Sequence, residues 1–466
     1  MENENTVRIK KIADSFMNHF AIKFFVAYFL FLFIGALLLR QPFSLRPGES
    51  LSMVDALFVS TSAITLTGLS SVGILSTFNM FGHFIILLLI QFGGITLVMM
   101  IAYFWLKLRK KINFNTHKTM INETPYNKDS MVSFIKGVII MVLVIELIGF
   151  ILLSSYFLIT STFTLKQSLF QALFMSISLF TNSGFSIAPS GISYSVYQNN
   201  YFVQSIAMIL IFIGGIGVYP LYEVKEWLVS IKEKVPFKFS LLSKIVLVMH
   251  LGIWLVSAIL FFGIENARFL ADKGFLESVY YALFMSLSTR SAGFSTVSMG
   301  ELSTMTQMLF MGLMFVGASP NSVGGGIRLT TFLLILLGLK AVLTNKDDVV
   351  IRERSVRYDN IFYAFVVIFV AIMVIGSGFV VIAYFESGIP ITRIAFELVS
   401  AFGTTGLTFE TAMVIGSKSK FVLIAVMVIG RIGILPLLFK FQEKEEVLET
   451  TNAPKTNYPE IDMILG

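Results

Sequence analysis

Four short stretches decide the fold. They read A-L-F-V-S-T-S-A-I-T-L-T-G-L-S (56–70), A-L-F-M-S-I-S-L-F-T-N-S-G-F-S (172–186), A-L-F-M-S-L-S-T-R-S-A-G-F-S (282–295) and A-F-E-L-V-S-A-F-G-T-T-G-L-T (395–408). Each ends in Gly, then Leu or Phe, then Ser or Thr. The glycines are Gly68, Gly184, Gly293 and Gly406, separated by 116, 109 and 113 residues. A near-constant period is the signature of a repeat architecture. A single glycine of this kind is explained by a turn or by helix packing; four in one register are not.

The surroundings of these stretches are apolar. Of the 466 residues, 56% are hydrophobic and only 14% are charged, against about 25% charged in soluble chains. Long apolar runs lie near 20–40, 77–106, 132–161, 200–222, 241–263, 304–343, 360–385 and 419–439. A membrane span needs roughly 20 residues, so all eight are long enough, and lipid is the solvent. The first run, about 20 residues from Phe20 to Leu39, exceeds the apolar part of a cleavable signal peptide. The four short stretches, at about 1.5 Å per residue, reach little more than half of a hydrocarbon core about 30 Å thick. They dip in and return.

Charge fixes the crossing number. The N-terminal segment and the linkers 107–136, 225–244, 340–357 and 440–455 hold 24 of the 35 Lys and Arg. Linkers that are all basic lie on one side, the cytoplasm, by the positive-inside rule. Each repeat therefore crosses an even number of times, and both termini are cytoplasmic. The expected fold is an all-α membrane protein of four parallel helix–pore loop–helix repeats, eight transmembrane helices and four re-entrant half-helices around a pseudo-four-fold pore. The repeats are 1–118, 119–235, 236–346 and 347–442, followed by a cytoplasmic tail, 443–466. A second echo supports the period: the later apolar run of each repeat carries Gly93-Gly94, Gly214-Gly215, Gly324-Gly325-Gly326, or Gly430 with Gly433.

Irregular backbone at membrane depth lines a cavity or is buried in protein. The return strands Thr65-Leu66-Thr67-Gly68, Thr181-Asn182-Ser183-Gly184, Arg290-Ser291-Ala292-Gly293 and Gly403-Thr404-Thr405-Gly406 would meet on one axis. Rings of backbone carbonyls replace the hydration shell of a cation, and half-helix C-termini add partial negative charge. None of the strands carries Asp or Glu, so a monovalent ion bound by carbonyls fits better than a divalent ion in a carboxylate ring. Gly317–Arg328 interrupts the third inner run with Pro320 and three glycines. No strand precedes it and no G-K-[ST] closes it, which argues against a phosphate loop. Its expected role is to obstruct the path below the filter. Arg431 and Glu146, charged side chains inside apolar runs, are functional candidates by default. Glu146 is expected to be paired or protonated. Arg290 should turn away from the pore and anchor its strand, on a carboxylate.

The motifs T-L-T-G-L (65–69), T-N-S-G-F (181–185), T-R-S-A-G-F (289–294), F-G-T-T-G-L (402–407), G-A-S-P-N-S-V-G-G-G-I-R (317–328) and G-R-I-G (430–433) resemble those of the Trk/Ktr/HKT superfamily of potassium transporters, most closely the membrane subunits of Ktr systems. The resemblance covers nearly the whole chain. It implies potassium uptake in the cell membrane, with potassium as the transported ion at the filter residues and no organic cofactor. It implies a homodimer with one pore per protomer, on a cytoplasmic nucleotide-binding regulatory ring (KtrA-like). It assigns a gate to Gly317, Ser319, Pro320, Gly324, Gly325, Gly326 and Arg328, with Arg431 facing the loop. Where the family continues the loop with Lys and a run of Thr, this chain has Ile327-Arg328-Leu329-Thr330-Thr331, which keeps the charge. Some plant relatives that favour sodium carry Ser at the first filter glycine; Gly68 is present here.

Other classes fit less well. There is no Cys, and His19, His83, His117 and His250 are scattered, so thiolate or His-rich metal sites and a Cys nucleophile are excluded. Paired carboxylates and Ser-His-Asp spacings are missing, which disfavours a membrane enzyme. The net charge of +7 reports loop bias rather than a nucleic-acid partner. Alternating-access carriers show inverted or two-fold repeats, not four parallel ones. A sodium-permeable or sodium-coupled cation transporter of the same architecture stays open. Reporter fusions at Lys118, Lys234 and Lys346 should all report the cytoplasm, and one at Lys273 the outside; alternation along the three linkers would refute the four-repeat topology.

Overall fold

The computed structural model describes residues 26–94, 128–160, 164–187, 200–320, 322–345, 349–351 and 354–434. The N-terminal segment, the 118/119, 346/347 and 442/443 boundaries and the tail 443–466 lie outside the described residues. Each repeat contributes an outer helix, a short re-entrant helix and an inner helix. In chain order these are α1 (Val26–Leu39), α2 (Met53–Thr65) and α3 (Met80–Gly94); then α4 (Lys128–Thr160), α5 (Leu165–Phe180), α6 (Tyr201–Ile216) and α7 (Val218–Glu233). The third repeat has α8 (Leu241–Glu265), α9 (Phe275–Ser288), α10 (Thr304–Phe315) and α11 (Leu329–Leu343). The fourth has α12 (Tyr358–Phe385), α13 (Ile391–Phe402) and α14 (Ser417–Ile432). A two-residue hairpin, Val350–Ile351 against Arg354–Ser355, sits in the linker before α12.

The re-entrant helices α2, α5, α9 and α13 have 13, 16, 14 and 12 residues, too short to cross at about 1.5 Å per residue. Side-chain caps start two of them. Ser52 accepts from the Asp55 amide, and Thr164 makes a reciprocal capping box with Gln167, meeting donors that the first helical turn leaves open. The outer helices α4, α8 and α12 are long and apolar enough to cross a membrane. Their outward faces carry exposed side chains such as Leu147, Ile151, Val248, Ile259, Phe369 and Val380. In water this would be an unstable surface; in a bilayer it is the lipid contact. The core lies on the other side, where the re-entrant and inner helices pack.

Among the described residues, the second and third inner runs are interrupted, and the fourth inner helix ends at Ile432 with Gly433 at φ +85°. The third breaks between α10 and α11, as its Pro and Gly content predicts. Val316 and Ile327 form a parallel bridge that closes the neck of the loop. The second differs from the sequence expectation of one span over 200–222. Here α6 and α7 meet at Gly217 with a bend of 103°. Pro220 has no amide to bond the carbonyl of Ile216, so a continuous helix is not available. Gly217 adopts φ +102°, a conformation that favours glycine.

The ring of repeats closes between the first and the last. Lys420, at the start of α14, donates to the Asp55 carboxylate in the first turn of α2 at 2.7 Å, and both side chains are mostly shielded. Hydrogen bonds to charged groups are worth about 1.5–3 kcal/mol. Replacing Lys420 with Met should therefore cost about that much stability and lower the Tm of the purified protein. Adding Asp55→Asn should recover part of the loss, because it removes the unpaired carboxylate.

Candidate ion pathway

The four return strands share one backbone course. The residue two before each return-strand glycine is left-handed: Leu66 at φ 56°, Asn182 at 52°, Ser291 at 63° and Thr404 at 44°. The glycines follow at +87°, +72°, +73° and +92° for Gly68, Gly184, Gly293 and Gly406. The amides of Thr67, Ser183 and Thr405 donate to the carbonyls of Ser62, Ser178 and Ser400 at 2.9–3.0 Å. In the third repeat, one residue shorter, Gly293 donates to Ser288 at 3.2 Å. Thr65, Leu66, Thr67, Thr181, Asn182, Ser183, Arg290, Ser291, Ala292, Thr404 and Thr405 are all buried.

The strands converge. A Cβ on Gly68 would lie 2.7 Å from the carbonyl oxygen of Ser183; on Gly293, 2.1 Å from that of Thr405; on Gly406, 2.2 Å from that of Thr67; on Gly184, 3.3 Å from that of Ala292. The carbonyl that precedes each of these glycines thus faces the glycine of a neighbouring strand. Any side chain at these positions would press on the carbonyl ring itself.

The inner helices hold the strands from behind. A Cβ on Gly93, Gly214 or Gly430 would come within 2.2, 1.9 and 2.0 Å of the carbonyls of Ile64, Phe180 and Phe402, equivalent positions of three re-entrant helices. The signal for this is in the sequence: G-G-I (93–95), G-G-I (214–216), G-G-I (325–327) and G-R-I (430–432). Arg431 stands where the other inner segments carry their second glycine, a correspondence that the paired-glycine pattern alone did not bring out.

The stretch Gly317–Arg328 packs on the third and fourth strands. Ser291 Oγ donates to the Gly403 carbonyl at 2.9 Å, and the amide of Gly325 donates to Thr404 Oγ1 at 2.7 Å. Gly317 and Gly325 lie so close that a Cβ on Gly317 would sit 2.0 Å from the Gly325 carbonyl, while Gly324 faces Ser291 and Gly326 faces Gly403. Ser319 is buried and Pro320 half-buried. Three guanidinium groups serve the loop. Arg431 donates to the carbonyls of Val323 and Gly93, Arg328 donates to Gly324, and Arg290 donates to Gly317 at 3.1 Å. Arg290 thus meets a backbone carbonyl where the sequence suggested a carboxylate. Carbonyls freed by a broken helix need donors where water is scarce, and guanidinium supplies five.

Three acidic anchors were missed. Glu397, in α13, accepts from Thr408 Oγ1 and the Ala412 amide and pins the fourth return loop. Glu265 accepts from the Ser303 amide and hydroxyl and from Thr306, joining α8 to the start of α10. Glu386 accepts from the Gly416 amide and Ser419. Their signal was a carboxylate within or just after an apolar helix, each facing Ser or Thr that sequence spacing does not bring near. Glu146 is buried and accepts from Gln91 at 2.9 Å. Among the described residues no group of three or more His, Cys, Asp or Glu could hold a metal.

Residues 26–449 match the model of the TrkH family, described as cation transport protein. The chain is 35% identical over 440 residues to the Ktr system potassium uptake protein D of Bacillus subtilis (strain 168), covering 94% of this chain and 95% of that one. It is 32% identical to the Ktr system potassium uptake protein B of the same organism, over 90% and 92% of the two chains. It is 30% identical to the potassium/sodium uptake protein NtpJ of Enterococcus hirae, over 94% and 95%. The potassium transporter TrkH from Vibrio parahaemolyticus superposes with a TM-score of 0.69 at 18% identity, over 90% of this chain and 84% of that one, so the two share a fold. With converging strands on four re-entrant helices and a match along nearly its whole length, the chain belongs to the TrkH/Ktr family of cation transport proteins and is a multi-pass membrane transporter, not an enzyme.

Proposed function

We propose that this chain is the ion-translocating membrane subunit of a Ktr-type potassium uptake system. The observation that carries this reading is the convergence of the four carbonyls preceding Gly68, Gly184, Gly293 and Gly406. Such a ring replaces the water of a dehydrated potassium ion. The C-terminal ends of α2, α5, α9 and α13 point their partial negative charge at the same place. The relatives named as potassium uptake proteins support the choice of ion. The sodium-permeable alternative draws on the potassium/sodium relative; glycine at all four filter positions favours potassium.

An ion leaving the filter meets the loop Gly317–Arg328. With Arg431 and Arg328 on its carbonyls, the loop is both a steric and an electrostatic barrier, and movement of this loop is the gate. The repeat boundaries and the cytoplasmic termini rest on the repeat period and the basic linkers, and the plasma-membrane location rests on the family. The homodimer and the KtrA-like nucleotide-binding ring belong to the same reading: the ring would open the gate from the cytoplasmic side. The decisive experiment is flux of potassium, rubidium, sodium and lithium in proteoliposomes, with and without a regulatory ring.

At the filter, Gly68→Ser places a Cβ and hydroxyl against the Ser183 carbonyl. The potassium-to-sodium flux ratio should fall at least about tenfold, which is about 1.4 kcal/mol of selectivity. An unchanged ratio would remove the first strand from the filter. At the gate, Arg431→Ala, or shortening 322–326, should raise flux in the absence of the ring. Removing a buried charge can also unfold a protein, so the comparison uses variants with wild-type expression and dimer content. Wild-type ring dependence in a well-folded loop deletion would place the gate elsewhere.

A further inference from the structure

The three glycines of the loop, Gly324-Gly325-Gly326, lie directly on two return strands. A Cβ on Gly324 would stand 2.7 Å from Cβ and Oγ of Ser291. One on Gly325 would stand 2.5 Å from Thr404 Oγ1 and 2.7 Å from its Cγ2, and one on Gly326 would stand 3.2 Å from the Cα of Gly403. The third repeat departs here from the other three. Gly93, Gly214 and Gly430 each lean on the re-entrant helix of their own repeat. Gly325, which opens the same G-G-I triplet, leans on the strand of the fourth repeat instead. Its amide donates to Thr404 Oγ1 at 2.7 Å, and Thr404 is fully buried.

Thr404 is a tense point of its strand. It sits at φ 44°, a conformation that is an outlier for a β-branched residue and that persists only where the surroundings hold it. The next amide, of Thr405, bonds the Ser400 carbonyl at 2.9 Å, and the Gly406 amide bonds Ser400 Oγ at 3.0 Å. The carbonyl of Thr405 faces Gly293. One residue of backbone therefore separates the side chain that accepts from the loop and a carbonyl of the converging ring. Threonine has a single side-chain torsion, stiffened by its branch, so any shift of the strand carries Oγ1 with it. Arg290 also joins a strand to the loop, through the Gly317 carbonyl at 3.1 Å, but its long side chain can follow such a shift. Carbonyl dipoles aimed at one point repel one another, and a cation at that point draws them together.

We propose that Thr404 is a positioning residue that couples occupancy of the carbonyl ring to the seat of the loop. A monovalent cation in the ring holds the fourth strand where Thr404 accepts from Gly325, and loss of the cation loosens the loop. The inference rests on the proposed ion pathway and adds a regulation to it. Coupling of this kind is reciprocal: a seated loop raises the cation affinity of the ring by the factor by which the cation favours the seated loop.

The test uses a thiol in the loop. The chain has no cysteine, so Val323→Cys supplies the single reactive site. Its rate of modification by methyl methanethiosulfonate, a neutral reagent with which potassium does not compete, is followed by mass spectrometry on the purified full-length protein in nanodiscs. The rate is measured in potassium and in N-methylglucamine. With Thr404 in place, potassium should slow the reaction at least about fivefold, the lower end of common coupling factors. Thr404→Val keeps the shape and removes the hydroxyl; the thiol should then react fast in both salts. Thr404→Ser keeps the hydroxyl and should restore the potassium dependence. A role in packing alone would lower the Tm and leave the ratio of the two rates unchanged. Equilibrium binding of ⁸⁶Rb⁺ gives the reciprocal reading: Thr404→Val should weaken it by the same factor. A rate that ignores potassium with Thr404 present, or a ratio in Thr404→Val equal to that with Thr404, overturns the proposal. Absence of ⁸⁶Rb⁺ binding to the wild type is failure of the carbonyl-ring reading and takes this inference with it. Binding of unchanged affinity in Thr404→Val is failure of this inference alone. If Thr404→Val does not fold, Thr404→Ala, which also relieves the branch at a left-handed residue, gives the same two readings.

Discussion

Unsatisfied backbone at membrane depth governs this molecule. A helix that stops half-way across the bilayer leaves amides and carbonyls where no bulk water can reach them. Four helices do so here, and each return strand solves the problem in nearly the same way. An amide near the glycine bonds back to the last turn of its own re-entrant helix, in a seryl carbonyl each time. That bond forces a left-handed residue two positions before the glycine. The carbonyls left over are the ones gathered at the axis. What would be a defect in a soluble core is the chemistry of the proposed pathway: an unpaired carbonyl ring is a liability without a cation and a binding site with one.

The same constraint explains the glycines behind the strands. Gly93, Gly214 and Gly430 sit within a Cβ's reach of equivalent re-entrant carbonyls, so the inner helices approach as closely as backbones allow. Small residues serve this purpose in membranes, where no hydrophobic drive pulls helices together. The third repeat departs from the pattern. Its inner helix is opened into a loop, and the donors that an intact helix would have supplied come from Arg290, Arg328 and Arg431. The third repeat's loop is also held by an arginine lent by the fourth, Arg431.

Carboxylates do quieter work at the helix ends. Glu265, Glu386 and Glu397 each collect amides or hydroxyls from a segment later in the chain and so tie loops to helices. Asp55 meets Lys420 across the seam between first and last repeats. Glu146 differs from all of these in accepting from a side chain earlier in the chain, Gln91.

Much of this was legible in the residues. The period of the A-L-F and Gly-Leu/Phe-Ser/Thr stretches, the short length of the re-entrant segments and the basic linkers depend only on composition and spacing, which the chain carries whatever its packing. They determined the four-repeat helical architecture, the return strands and the broken third inner helix. Other features needed the tertiary structure. That Arg290 meets a carbonyl and not a carboxylate, that Glu397 and Glu265 find Ser and Thr partners, and that Gln91 donates to Glu146 are all contacts between residues distant in sequence. The bend at Gly217 lay between: Pro220 and Gly217 were both visible, but an apolar run of spanning length hides a break. Sequence determined which backbone must leave the helix inside the membrane. Only the packed structure decided which groups come to meet it, because a hydrogen-bond partner is chosen by distance in space and the chain records only distance along itself.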